Sequence, residues 1–494
     1  MNRNVSCISI DLINADKPPA SLAFLAGACE QAGVNYQCIS LNSELIMNLN
    51  KSCYNQLYAD VKLEKLQQSF SIIEPIIRDI IKRIEFFESD LVLVSVFSYM
   101  QFSLSEYFLQ LLKDYLPDIE ILAGGPGIGS IVKNKTIGRY FTEKQLIDFY
   151  CLGEGDVVLV NFLKGQKQQL GINSIEDSCE SWVPQIDNLD QQGVVPSYKK
   201  IKLSAYENIE AKKSAVFSLS TSRGCVRSCS FCDIAKTWKK FRFRSGSHVA
   251  SEVLKHHREV GAVHFTIVDS LINGSLKSFR DFNVEMIKLK NEYISLREFS
   301  YNGMFIVRDR RSHNEELYAS MSAAGCESLL LGVETGSDRL RFDMNKKFTN
   351  EDLEHHLDMC QKYKIKNFLL MFVGYPTETR EDFEKTLYML ERFQKYLIDG
   401  TITGINHSGI FSLLPDTPTY DHRAATGIEI INDNNVNQIN WINKNNPNLT
   451  IKERILRDLE FRRKALDLRY PIPYATRYLE YLSKVKPDFV PQSD

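Results

Sequence analysis

Short apolar runs alternate with helical periodicity twice along this chain, from residue 5 to about 165 and again from 214 to about 415. Strands patterned this way are buried only in a mostly parallel sheet covered by helices, so the chain is read as an α/β protein. In the first stretch, strands are expected at Val5–Leu12, Tyr36–Leu41, Leu91–Phe97, Ile119–Ala123 and Phe149–Leu152. Helices are expected at Ala20–Ala32, ending at Gly33, and at Phe102–Leu116 and Asp156–Leu163. In the second stretch, strands are expected at Ala215–Thr221, His264–Val268, Phe299–Phe305, Ser328–Val333, Phe368–Val373 and Ile405–Leu413, with helices near Val249–Val260, Leu276–Tyr293, Asn314–Ala324, Asn350–Tyr363 and Arg380–Tyr396. The first pattern implies a doubly wound parallel sheet, and the six β/α units of the second imply a partial (β/α)6 barrel. At 494 residues the chain is too long for one core, so it divides into a sheet domain (1–165), a linker (166–213), a barrel (214–420) and a C-terminal loop and helical region (421–494).

Three segments stand outside the alternation. Leu66–Phe87 carries isoleucines at helical spacing, with Pro75 inside or at its start, and reads as an amphipathic helix covering the sheet. The insertion Asn42–Lys65 is polar and mixed. Near the C-terminus, Asn432–Asn448 reads as a loop, and Thr450-Ile451-Lys452-Glu453 reads as a capping box opening a helix to about Leu468. A last helix is expected over Ala475–Val485.

Ligands of such sheets and barrels bind beyond the carboxyl ends of the strands. In the first domain those ends are Asn14–Pro19, Ser95 to Ser98, Gly124-Gly125-Pro126-Gly127 and Gly153-Glu154-Gly155. In the second they are Cys225 to Cys232, Asp269-Ser270, Arg308, Gly332 to Ser337, and Gly374 to Thr379. Cys225, Cys229 and Cys232 form a C-x₃-C-x₂-C run on one loop. Three thiolates so close together can grip one small metal cluster, and a four-iron cluster held by three ligands keeps one iron open. A zinc site usually has four ligands in paired Cys-x₂-Cys units, and no second pair lies nearby.

This spacing, with Phe231 just before the last cysteine, resembles the signature of the radical SAM enzymes. The resemblance implies a [4Fe–4S] cluster on Cys225, Cys229 and Cys232. It also implies S-adenosylmethionine (SAM) on the open iron, cleaved by one electron to a 5′-deoxyadenosyl radical. The stretches Gly332–Ser337 and Gly374–Thr379 resemble further patterns of that family. By that analogy Glu334 and Ser337 contact the SAM amino or ribose groups and the Gly374–Pro376 turn adjoins the adenine. Phe231, Asp269 and Arg308 complete the expected SAM-binding set. Many family members carry Gly-Gly-Glu after the second strand; here the run is Val268-Asp269-Ser270-Leu271, and Asp269 is carried over because cobalamin-type relatives often have an aspartate there.

The first domain resembles the cobalamin-binding domain that precedes many radical SAM cores. That resemblance implies cobalamin contacts at Ser95, Ser98, Gly124, Gly125, Gly153 and Glu154. The plainer alternative is that the glycines only permit tight turns. Residues 1–247 contain no histidine, so this domain has no histidine to place on cobalt. The activity implied is methylation of an unactivated carbon of a small-molecule or peptide-derived natural product. In that chemistry a methyl group passes from one SAM through cobalamin, and a radical is drawn from a second SAM. The alternative is a non-methylating rearrangement, cyclisation or oxidation.

Net charge is −2, with 44% hydrophobic and 25% charged residues, so no global pull toward nucleic acid or anionic membrane is expected. No apolar run approaches a membrane span and the first residues carry no signal-peptide core. Most of the 11 cysteines are scattered singly, and a cytoplasmic location is expected. Lys236–Arg244 (KTWKKFRFR) follows the cluster loop. It suits an anionic substrate, a single-stranded nucleic acid or an electron donor such as flavodoxin or ferredoxin; the plainer reading packs its aromatics on the barrel rim. The expected partners are the substrate and the electron donor, without nucleic acid or membrane.

Overall fold

The computed structural model describes residues 3–10, 12, 17–62, 66–206, 215–431 and 439–473. The chain groups into two compact units, residues 1–219 with 250–265 and residues 220–249 with 266–494.

Unit one carries a six-stranded sheet of β1 Asn4–Ser9, β2 Asn35–Ser40, β3 Leu91–Ser95, β4 Glu120–Gly124, β5 Phe149–Cys151 and β6 Ile172–Asn173. The order is β2-β1-β3-β4-β5-β6. β1 to β5 run parallel. This is the flavodoxin-like doubly wound order, with its switch point between β1 and β3. Two features differ from the sequence expectation. The edge strand β6 is antiparallel to β5, and it comes from the segment read as a linker. Its two residues are too short a run to show an alternation.

The helices of unit one include α1 Ala20–Ala32, α2 Leu41–Asn48, α3 Lys51–Lys62, α4 Phe70–Phe86, α5 Phe102–Tyr115 and α6 Asp156–Leu163. α1 ends where Gly33, at φ +72°, turns its N–H back onto the last carbonyls. α2 and α3 occupy the insertion that showed no readable pattern. α4 holds Pro75 within it and buries Ile73, Ile77, Ile80, Ile81 and Ile84 in the core with β1, β3 and α5. The isoleucine stripe therefore covers the sheet.

The second sheet is built from β7 Val216–Leu219, β10 His264–Ile267, β11 Ser300–Phe305, β12 Cys326–Glu334, β13 Lys366–Val373 and β14 Ile402–Ile410, in the order β14-β13-β12-β11-β10-β7. Strand order follows chain order from edge to edge, and β11 to β14 pair in parallel. A two-stranded ribbon, β8 Ser222–Arg223 and β9 Arg242–Phe243, closes the base of the cysteine loop. The connecting helices are α7 Gly246–Val260, α8 Leu276–Glu292, α9 Glu315–Ala324, α10 Asp338–Asp343, α11 Asn350–Tyr363 and α12 Arg380–Ile398.

In the C-terminal region the expected loop contains a strand, Trp441–Asn443, paired antiparallel with Ile428–Ile430. The expected helix is present as α13 Ile451–Asp467, with the Thr450 hydroxyl accepting from Glu453 N at 3.1 Å and the Glu453 carboxylate paired with Arg457 at 2.9 Å. The helix expected over Ala475–Val485 lies outside the described residues, as does Asn14. Among the described residues no helix is long and apolar enough to cross a membrane.

Candidate active site

The cysteine loop leaves the end of β7. Thr221 O accepts from Arg244 N at 2.8 Å, and the β8–β9 ribbon ties the two ends of the loop together. Gly224 then turns the chain at φ +88°, where a Cβ would stand 2.9 Å from Lys240 O; glycine alone fits both demands. Cys225, Cys229 and Cys232 follow, all partly exposed. Arg227 N donates to Cys225 Sγ at 3.3 Å and Cys232 N to Cys229 O at 3.1 Å. Burial pushes all three thiols up, neighbouring thiols add to that, and the Lys346 ammonium pulls each one down. The sulfurs therefore share one electrostatic neighbourhood. Among the described residues no three His, Cys, Asp or Glu side chains converge as a site for a single metal ion. Three soft thiols on one loop, in one electrostatic neighbourhood, are the donor set that suits an iron–sulfur cluster.

Elements further along the chain hold the far side of the loop. Asn345 Nδ2 donates to Ser228 O at 2.7 Å and to its Oγ at 2.8 Å. Ser230 N donates to Met344 O, and Ser230 O accepts from the backbone and hydroxyl of Thr419. Ser230 Oγ lies 2.8 Å from Tyr375 OH. Phe231 packs edge-on against Phe372, with ring centroids 5.4 Å apart, in the cluster containing Tyr375, Phe411 and Trp441.

Glu334 ends β12 at φ +64°, a conformation that costs a side chain other than glycine energy and recurs at functional sites. Its Oε1 pairs with Lys346 Nζ at 2.6 Å, both side chains mostly buried. The ammonium also lies 5.6 Å from the Phe231 ring. Gly332 makes room: a Cβ there would sit 2.6 Å from Lys346 Nζ and 2.7 Å from Glu334 Oε1. Lys346 is the residue the sequence analysis missed. It lies in an unpatterned Asn-Lys-Lys run, returned to the cysteines by the turn after α10.

The other expected SAM residues are placed as follows. Arg308 lies within charge range of Cys225 and Arg227, and its Nη2 donates to Asn273 O and Gly274 O at 3.0 and 3.1 Å. Gly374, at φ +79°, donates its N–H to Glu378 Oε2 at 2.7 Å, and Pro376 O accepts from Asn443 Nδ2 at 3.0 Å. Ser337 is fully buried and caps α10; its Oγ donates to Asp382 Oδ1 at 2.6 Å and accepts from Leu340 N. That hydroxyl makes both of these hydrogen bonds within the protein. The Asp269 carboxylate is likewise engaged, with Ser220, Thr221 and Ser222. Burial pushes its pKa up to about 6 against the pull of those hydrogen bonds. In the KTWKKFRFR run, Phe241 lies against Gly274 and the Arg242 guanidinium 5.3 Å from the Trp238 ring, while Lys239 and Lys240 are exposed. Trp238 and Phe241 are partly buried, whereas Phe243 is half exposed.

In unit one, Ser95 ends β3 and is buried, and Ser98 caps the short turn 99–101 with a capping box to Gln101. Gly125 at φ +99° and Gly153 at φ +101° are required by the backbone: a Cβ would meet Val96 O at 2.6 Å and Val183 O at 2.8 Å. Gly124 differs, since its nearest neighbour to a Cβ would be Cys151 Cβ at 3.9 Å. Glu154 is buried, and its Oε2 accepts from Ile186 N at 2.7 Å. Beside these strand ends Phe97, Tyr99, Met100 and Trp182 are exposed, and Trp182 is seated on Gly129.

Residues 219–390 match the Radical SAM superfamily. An uncharacterized methyltransferase of Pyrococcus horikoshii is 24% identical over 319 residues, 63% of this chain and 65% of that protein. An anaerobic magnesium-protoporphyrin IX monomethyl ester cyclase of Rubrivivax gelatinosus is 27% identical over 303 residues, 58% of this chain and 51% of that one. The chain thus spans 51% to 65% of the length of these relatives. Among solved structures, the cobalamin-dependent S-adenosylmethionine radical enzyme OxsB, with aqua-cobalamin and S-adenosylmethionine bound, matches with a TM-score of 0.65 at 17% identity, over 98% of this chain and 70% of that one. The radical S-adenosylmethionine methyltransferase TsrM of Kitasatospora setae, with cobalamin and a [4Fe–4S] cluster bound, matches with a TM-score of 0.61 at 16% identity, over 88% and 82%. At these identities the likeness to OxsB and TsrM is one of fold.

Proposed function

Since residues 219–390 are a radical SAM domain, we propose that the chain is a cobalamin-dependent radical SAM enzyme that methylates an unactivated carbon of a small-molecule or peptide-derived natural product. The observation that carries this reading is the partly exposed triad of Cys225, Cys229 and Cys232, with the Lys346–Glu334 pair beside it. When bound, a [4Fe–4S] cluster supplies the electron that cleaves SAM and a corrinoid supplies the methyl group.

The chain's own residues do the placing. Cys225, Cys229 and Cys232 would hold the cluster, and three protein ligands would leave a position for the amino-acid end of SAM. Glu334 and Lys346 offer that end one anion and one cation, the charges an ammonium and a carboxylate need. The Gly374–Pro376 turn, with Tyr375 and Phe372 behind it, provides an apolar wall of the kind an adenine occupies. In unit one, the uncrowded Gly124, where a Cβ would make only one ordinary contact, and the exposed Phe97, Tyr99, Met100 and Trp182 suit a broad flat ligand at the strand ends. The likeness of fold to OxsB and TsrM supports the same assignment. An electron donor such as flavodoxin or ferredoxin and an organic substrate complete the proposal.

The similarity to the magnesium-protoporphyrin cyclase favours a second reading, in which the radical closes a ring without methyl transfer. Product analysis separates the two. The reconstituted chain is incubated anaerobically with SAM, cobalamin, reductant and candidate substrates. 5′-Deoxyadenosine together with S-adenosylhomocysteine supports methylation, and 5′-deoxyadenosine alone supports the second reading. Zinc in place of iron, or intact SAM under strong reductant, overturns both.

A further inference from the structure

Three residues lead into the cysteine loop, Ser220, Thr221 and Ser222, and their donors converge on one carboxylate. Asp269 stands two residues past β10 and is buried. Its Oδ1 accepts from Ser220 Oγ at 3.1 Å and Thr221 N at 3.0 Å; its Oδ2 accepts from Thr221 N at 2.9 Å, from Thr221 Oγ1, and from Ser222 Oγ at 3.0 Å. An ionised carboxylate has about four lone-pair sites, and four donors face it, of which Ser222 Oγ also lies 3.2 Å from Leu271 O, so the carboxylate is engaged chiefly by the protein. Arg244 holds the same segment from its acceptors: its backbone N donates to Thr221 O and its Nη1 to Ser220 O, both at 2.8 Å. An anion thus gathers the donors of residues 220–222 and a cation gathers their carbonyls. Charge-assisted bonds in a buried setting are about twice as strong as neutral ones. Cys225 stands three residues beyond this clamp, just after the Gly224 turn.

We infer that Asp269 is a positioning residue that fixes the origin of the cysteine loop, and through it the spacing of the three thiolates around the open iron. The inference rests on the radical SAM reading of residues 219–390, and it moves Asp269 from the SAM contact expected in the sequence to the support behind the cluster. Metal–thiolate bonds are about 2.3 Å long and tolerate little displacement, so a loop released at its entry holds a cluster poorly even with all three cysteines present.

The test uses the full chain and the variants Asp269→Asn, Thr221→Val and Ser222→Ala, reconstituted anaerobically with iron and sulfide. The readouts are the rate at which EDTA removes iron, the electron paramagnetic resonance spectrum of the reduced cluster with and without SAM, and SAM affinity per loaded cluster. Asp269→Asn is expected to lose iron about tenfold faster than wild type, the scale of losses when a ligand's support is removed, with an altered spectrum and unchanged SAM affinity. Thr221→Val and Ser222→Ala are expected to move the same two readouts by smaller factors. Wild-type retention and spectra in all three variants overturn the inference. So does a loss of SAM affinity in Asp269→Asn without loss of iron, which marks a direct ligand contact. If Asp269→Asn does not fold by circular dichroism, the other two variants decide alone, and unchanged iron retention in both is the negative result. A wild-type chain that takes up no iron would overturn the radical SAM reading itself, a separate outcome.

Discussion

Glu334 shows how single residues set the chemistry of this site. Its left-handed backbone and the bare Cα of Gly332 let the carboxylate meet the Lys346 ammonium beside the cysteines. Gly332→Ala puts a methyl group into the pair at 2.6 Å from Nζ. It is expected to weaken SAM binding to the loaded chain by about tenfold, an effect of about 1.4 kcal/mol within the usual cost of overpacking; equilibrium dialysis with labelled SAM measures it, and unchanged affinity would remove the pair from the SAM site. At this scale the sequence was partly legible. The cysteine spacing and the glycines at strand ends are local patterns, and they fell where the topology needed them. Ser337 was read only as a SAM contact, although a serine before a helix serves equally as a cap, and here its hydroxyl accepts from Leu340 N. Lys346 was invisible because only the tertiary return after α10 makes it a neighbour of the cysteines.

The C-terminal helix α13 was legible in its ends and not in its packing. Thr450 and Glu453 announced its start. The face it buries, however, includes Arg454, Arg457, Asp458 and Arg462, so no apolar stripe marks the inward side. Arg457 pairs with Glu378, remote in sequence, at 2.9 Å; Asp458 pairs with the distant His407 at 2.6 Å and, one turn along the helix, with Arg462 at 3.1 Å. Among the described residues Arg454 has no carboxylate partner and instead stacks on the Trp441 ring and donates to Trp441 O. Removing one partner of such a buried set leaves the others uncompensated. Asp458→Asn is therefore expected to destabilise the chain by about 3–5 kcal/mol, read as a lowered urea midpoint; a loss under about 1 kcal/mol would class the set with exposed pairs. Helices α2 and α3 were missed because polar and apolar residues are interspersed through Asn42–Lys65, although Tyr54, Leu57 and Val61 do recur at helical spacing in α3.

For the molecule as a whole, alternation of strand and helix made both sheets legible, because a parallel strand needs a covering helix on its crossover. The order β2-β1-β3 was not written in that alternation; it depends on which way the chain turns after each strand. Global stability also carries a pH dependence that composition does not reveal. His356 is buried between Tyr318 OH at 2.8 Å and Asn367 Oδ1 at 3.0 Å, and burial holds its pKa down to about 4; burial holds His313 down to about 3. Both are neutral in the fold and take up protons more readily when unfolded. Their contribution is intact above the ordinary histidine value of about 6.5 and is lost as pH falls toward 4, at up to about 1.4 kcal/mol per pH unit for each. Burial raises Asp269 to about 6, which acts in the opposite direction over the same window, so the test is by difference: the fall in urea midpoint between about pH 7 and about pH 5 should be smaller in His356→Gln than in the cluster-free wild-type chain, and an equal fall would contradict the neutral buried state. The placement of Trp182 offers a practical consequence. The chain has three tryptophans, of which Trp441 is sealed in the core and Trp182, on Gly129, is 56% exposed. An exposed indole is expected to emit further to the red than a buried one, which makes Trp182 a native optical probe of the first sheet's strand ends. A corrinoid settling there would absorb that light, so the dimming of one fluorescence band on titration reports occupancy without any label.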